Sequence, residues 1–119
     1  MSTLNIISKA AGGYSAHGRA RYDSRFDVVV VHAWDNEILT LTAQFPDTIS
    51  TVNYDAGGIT TTEPSITSNR FTATLSSVND GDRIRYDVLM STGEMRQLYI
   101  ATVSPKSIYS PSGDYGEFA

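Results

Sequence analysis

The chain has no cysteine, so neither a disulfide framework nor a thiolate zinc site is open to it. Histidine is almost as scarce. His17 and His32 share no short spacing and fit no metal-binding pattern such as His-Glu-x-x-His, so a solvated or core-edge role is expected of each. Lys and Arg number nine against thirteen Asp and Glu, a formal net charge of −4, and they are scattered along the chain. A nucleic-acid partner calls for a basic stripe, so none is expected. No run approaches the roughly 18 apolar residues of a membrane span. The segment beginning at Met1 lacks the basic-then-apolar layout of a signal peptide, and no Asn-x-Ser/Thr acceptor occurs. These absences lead to an expectation of a soluble chain assembled in a reducing cytoplasm, with no membrane partner.

What is abundant is Thr, Ser, Val, Ile and Tyr, the residue types that suit a pleated, half-buried surface. With 119 residues and 40 % hydrophobic content, the chain can fill one modest core and has no room for a second. Phe26 to His32 is a β-branched run that predicts a strand buried on both faces. A turn at Ala33 to Asn36 leads into a return strand from Glu37 to Phe45, whose alternation puts Leu39, Leu41, Ala43 and Phe45 inward. Ile49 to Tyr54 alternates next, Asp55 to Gly58 reads as a turn, and Ile59 to Thr62 is a short edge piece ended by Pro64. Arg70 to Ser76 points Phe71, Ala73 and Leu75 inward. A turn at Asn79-Asp-Gly81 precedes Arg83 to Met90, with Ile84, Tyr86, Val88 and Met90 inward and Arg83, Arg85 and Asp87 outward. Ser91 to Glu94 closes a hairpin onto Met95 to Val103. About seven short strands and no helix predict an all-β fold, an antiparallel sandwich or small barrel over residues 26–103.

The search for chemistry yields little. No Gly-x-Ser-x-Gly elbow or phosphate-binding glycine loop occurs, and Ala56-Gly-Gly58 has neither a basic neighbour nor a following helix. Asn79-Asp-Gly-Asp82 offers oxygens to calcium, but it lacks the spacing and the distal Glu of the twelve-residue loop, and Asp and Asn favour turns without any metal. No catalytic residue, cofactor or metal is therefore expected, and the chain reads as a non-enzyme. A carbohydrate-binding module would use exposed aromatics, for which Tyr14, Tyr22, Trp34, Tyr54, Tyr99, Tyr109 and Tyr115 are candidates.

The two ends carry the remaining information. Residues 1–25 read as an N-terminal arm: Leu4, Ile6 and Ile7 form one apolar patch, and the glycine-rich stretch after Ala10 shows no period. Residues 104–119 read as an extended C-terminal tail broken by Pro105, Pro111, Gly113 and Gly116. Unlike idle tails, this one carries Ile108, Tyr109, Tyr115 and Phe118. Ordering it costs more backbone entropy than four buried side chains return, so it needs an existing surface. Leu4, Ile6, Tyr14, Ile108, Tyr109, Tyr115 and Phe118 are accordingly the candidate partner-binding residues.

A set of segments carries a resemblance: Asp47-Thr-Ile49, Gly58 to Ile66, Arg70 to Leu75, Gly81 to Val88, and Ser91-Thr-Gly93 with the β run that follows. In this pattern a Gly-rich turn leads into a Tyr-bearing strand and then a Ser/Thr-Gly hairpin. It resembles the small immunoglobulin-like virion proteins of tailed bacteriophages, including fibre–tail adaptors, over about residues 47–104. The resemblance implies an immunoglobulin-like sandwich with a structural, non-enzymatic role in a virion, docked on other virion proteins and on copies of itself. A tail or fibre adaptor is the leading expectation. A capsid decoration (cement) protein, a head–tail connector and a carbohydrate- or receptor-binding module are the alternatives.

Overall fold

The computed structural model describes residues 2–9, 13–34, 36–76 and 81–103. Among them every regular element is a strand: β1 (Ser2–Ser8), β2 (Tyr14–His17), β3 (Ala20–Asp23), β4 (Val28–His32), β5 (Leu39–Gln44), β6 (Ile49–Gly57), β7 (Thr60–Thr61), β8 (Ser65–Thr67), β9 (Arg70–Ser76), β10 (Arg83–Met90) and β11 (Met95–Val103). They form two sheets. One runs β2-β1-β5-β9-β7, with β8 also on β9; the other runs β3-β4-β11-β10-β6. The inner faces meet in a single core. Strands β5, β9 and β7 thus lie opposite β6, β10 and β11 in a two-sheet β-sandwich.

Alternation of side chains predicts the centre of this core. Leu39, Leu41 and Ala43 on β5, Phe71, Ala73 and Leu75 on β9, and Ile84, Tyr86, Val88 and Met90 on β10 are all buried. The hairpin after β10 also forms as expected: the Met90 N–H donates to the Glu94 carbonyl at 2.9 Å, and Gly93 takes φ +92°. On β6 the alternation breaks. The pairing with β10 shifts register between Leu89 and Met90, leaving Ser50 as an extra residue, so Ile49 and Val52 both face inward although three positions apart.

Several expectations need correction. The sheets are mixed rather than purely antiparallel, because β1 runs parallel to β5 and β4 parallel to β11. Strands β4 and β5 lie in different sheets, so the segment between them joins the sheets instead of closing a hairpin. The β-branched run is buried on one face only: Val29 and Val31 enter the core, while Val28 and Val30 are half-buried on the outer face. Asp55 to Gly57 is strand, not turn. At Gly57 a Cβ would stand 2.9 Å from the Arg83 carbonyl oxygen, so the glycine permits β6 to approach β10 there rather than marking a reversal.

The largest correction concerns residues 1–25, which are not an arm. They contribute β1 and β2 to one sheet and β3 to the other. Leu4 and Ile6 on β1 and Tyr14 on β2 are buried in the chain's own core. The glycines that suggest a linker serve close packing instead. Gly18, between β2 and β3, has φ +87°, and a Cβ on it would sit 2.5 Å from the Thr3 carbonyl oxygen. Arg96 on β11 ties this region down, donating to the Lys9 carbonyl at 2.6 Å and to the Ser8 hydroxyl. The Tyr14 hydroxyl donates to the Gln97 carbonyl at 2.8 Å. Replacing Leu4 by Ala should therefore destabilise the domain by about 2–5 kcal/mol in chemical denaturation, whereas an arm outside the fold would register nothing.

Tyr86 sits at the centre, fully buried. Its ring lies 4.9 Å from that of Phe71 in the opposite sheet, and its hydroxyl is 2.9 Å from the Thr61 hydroxyl on β7. Burial pushes its pKa up to about 12 from 10.0, with the Thr61 contact pulling the other way. The neutral phenol is thus favoured in the fold, and the unfolded chain loses this proton first as pH rises. The contribution is complete below about pH 10 and is lost as pH climbs through about 12. Denaturation measured across that window should show the stability gap between the wild type and Tyr86→Phe shrinking with pH. At neutral pH the same variant should cost about 1 kcal/mol.

Candidate docking face

The outer face of the β3-β4-β11-β10-β6 sheet carries an open concavity. Strand pairing sets its rows. Val28 lies beside Tyr99, Tyr99 beside Arg85, and Arg85 beside Asp55. In the next row Val30 lies beside Ala101, Ala101 beside Arg83, and Arg83 beside Gly57. Along these rows runs a concavity of about 640 Å³, lined by Phe26, Val28, Asp55, Arg83, Arg85 and Tyr99 among others. Gly57 and Ala101 are the reason it is concave: small residues in the second row leave the space that larger neighbours enclose.

Phe26 forms one wall. It belongs to the turn between β3 and β4, and 70 % of its surface is exposed. The turn is held from several sides. Asp27 takes φ 52° and accepts a 2.7 Å hydrogen bond from the Tyr22 hydroxyl. The Arg25 guanidinium lies 5.3 Å from the Phe26 ring centroid and pairs with Asp23 at 3.0 Å. That pairing holds the Asp23 carboxyl below the usual range. The opposite wall is charged. Arg85 Nε approaches Asp87 Oδ1 at 3.3 Å along the strand, and Asp55 stands beside Arg85 on β6. The face thus combines exposed apolar surface (Phe26, Val28, Tyr99) with cations and carboxylates at fixed spacing. It can bury an aromatic or aliphatic group while pairing with charges of either sign.

The sequence matches no known family model, and a search of the curated proteins finds no match.

Of the candidate partner-binding residues, Leu4, Ile6 and Tyr14 are buried inside the domain and unavailable to a partner without unfolding. Ile108, Tyr109, Tyr115 and Phe118 lie outside the described residues, as does the whole tail. Trp34, a candidate for sugar stacking, is about half exposed but does not line the concavity, while Tyr99 does. His17 and His32 lie on different sheets. His32 is buried on β4, and burial first, then Arg21, lowers its pKa by disfavouring the imidazolium. Among the described residues no group of three or more His, Cys, Asp or Glu is placed to hold a metal ion. The outward direction of Arg83 and Arg85 is legible in the alternation of β10. That Phe26, Tyr99 and Asp55 converge on them depends on strand order, which no local pattern carries.

Because these side chains face solvent, they should be removable without unfolding. Phe26→Ala and Arg83→Glu are each expected to shift the unfolding free energy by no more than about 0.5 kcal/mol in thermal or chemical denaturation.

Proposed function

We propose that this chain is a non-enzymatic structural component of a bacteriophage virion, a tail or fibre adaptor that docks neighbouring subunits through the outer face of its five-stranded sheet. The observation that carries the reading is the Phe26–Tyr99 concavity with Arg83, Arg85 and Asp55 beside it. Aromatic residues and Arg are enriched at the buried centres of protein interfaces, where a few such anchors supply most of the affinity. The resemblance over about residues 47–104 supports the virion setting, and those residues include β6, β10 and β11, three of the five strands of this sheet. The sandwich acts as a rigid frame, since each of its two sheets commits its inner face to the core. The partners are other virion proteins.

Cryo-microscopy of particles carrying the chain tests this. Phe26, Tyr99 and Arg83 should lie against another subunit, and Phe26→Ala combined with Arg83→Glu should lower incorporation about tenfold or more. Particles in which this face meets only solvent, or in which the double variant assembles normally, would rule the reading out. Density on the head shell instead of the tail would select a cement protein over an adaptor.

One observation favours a second reading. Two aromatic rings, two Arg and an Asp in a concavity of about 640 Å³ also suit a carbohydrate, which stacks on aromatics and hydrogen-bonds to charged groups. Glycan-array binding that disappears with Tyr99→Ala would support it.

A further inference from the structure

Sheet edges present rows of backbone N–H and C=O groups, and proteins blunt them with short strands, Lys, Pro or bulges. Three of the four sheet ends here obey that rule. Strands β2 and β3 have 4 residues each, and β7 and β8, which share the far side of β9, have 2 and 3. The fourth is different. Strand β6 ends its sheet with 9 residues, Ile49–Gly57, and among the described residues no strand pairs with its outer side. It contains no Lys, Arg or Pro, and Asp55 is its only charge. Its one bulge lies at the Ile49 end, and from Asn53 to Gly57 every residue is exposed.

We infer that β6 pairs antiparallel with β6 of a second copy of this chain across a two-fold axis at Asn53. The occupant follows from the strand itself. The Ile49 N–H is already held by the Ser68 carbonyl at 2.9 Å, which leaves Ser50 to Ala56 open, and Asn53 is the midpoint of that stretch as it is of Ile49–Gly57. In that register Asp55 falls opposite Thr51 of the copy, so the single charge of each strand avoids its own twin. Val52 falls opposite Tyr54 of the copy, on the face that Val52 already directs into the core. Tyr54 is the one aromatic on this edge, 38 % exposed beyond the end of the core, and its ring is 6.2 Å from that of Tyr86. A copy's Val52 covers it with an aromatic–β-branched cross-strand contact. The interface is isologous and closes at two chains, as a two-fold contact must.

This pairing does not depend on the virion reading. If the docking face is also as proposed, the two-fold axis stands normal to the sheet. Both concavities then open on the same side, and the dimer engages a repeating partner bivalently.

The absence of native cysteine makes the register directly testable with the full chain. Light scattering on the eluting peak should give twice the 13.0 kDa of one chain. Asn53→Cys should form a disulfide-linked dimer under mild oxidation, because facing residues bring their Cβ atoms to about 4.5–5.5 Å. Thr67→Cys on the short β8 should not. Asn53→Lys sets two ammonium groups face to face and should weaken dimerisation about tenfold or more, while Thr51→Lys meets Asp55 of the copy and should tighten it. Asn53 and Thr51 are exposed in the single chain, so unchanged thermal melts separate lost pairing from lost folding. A monomer at every concentration, a dimer that survives Asn53→Lys, or failure of Asn53→Cys to cross-link overturns the pairing.

Discussion

Tyr86 is the point on which the two sheets depend. From β10 its ring reaches across to Phe71 on β9, which stacks 6.2 Å from Phe45 at the end of β5. Phe45 meets Tyr14 edge-on at 6.4 Å, and Tyr14 meets Tyr22 at 5.8 Å on β3, back in the sheet of Tyr86. One continuous line of rings therefore leaves the β3-β4-β11-β10-β6 sheet at one end, passes through the other sheet, and returns. Each contact contributes about 0.5–1.5 kcal/mol beyond the area it buries. Its larger effect is geometric. Rings of this size fix the separation of the sheets, and a chain lacking disulfides has no covalent means of doing so. The hydroxyl contact between Tyr86 and Thr61 then anchors the short β7 at the margin of the core.

The same line explains why the N-terminal residues belong to the domain. Without Tyr14 and Tyr22 it would end at Phe45, and the parallel side of β5 would be left bare. Strand β1 covers that side, placing Leu4 and Ile6 in the core beside Leu41 and Ala43. None of this is legible locally. Strands β2 and β3 are four residues long, too short to display a period, and the glycines around them look like linker punctuation. Gly18 shows what that reading misses: the absence of a side chain is needed where backbone passes backbone at Thr3, a contact between distant parts of the sequence. By contrast, β9, β10 and β11 are legible to the residue, because each runs seven to nine residues with clean alternation.

The candidate site divides the same way. The outward aim of Arg83, Arg85 and Asp87 follows from a period of two once β10 is recognised. The concavity does not, because it requires β4 to lie parallel beside β11, which brings Phe26 and Val28 alongside Tyr99 from far along the sequence. Parallel neighbours leave no hairpin signal, and a β-branched run such as Val28–Val31 reads as buried on both faces whichever strand flanks it. Charged residues are thus more legible than the apolar ones that complete the surface.

This division has a physical root. In a two-sheet domain the inner faces are overdetermined, since any residue there must satisfy packing against both sheets, and the sequence pattern is correspondingly clear. The outer faces are constrained only by solubility and pairing, so a departure from a plain polar surface carries more information. On the other sheet the outer positions are mostly Thr, Ser and single charges, with Ile7 and Ile66 exposed as well. On the β4-β11-β10-β6 face they include Phe26 and Tyr99 held beside a charged row, with Arg25 braced against the Phe26 ring and Asp27 in a left-handed conformation that aims the turn. Left-handed backbone occurs at Asn36 and Ser68 too, so at Asp27 it is ordinary turn geometry, and it is the Phe26 ring carried on that turn that is unusual. What sets this face apart is an aromatic ring held in solvent beside a charged row, the combination on which the proposed docking rests.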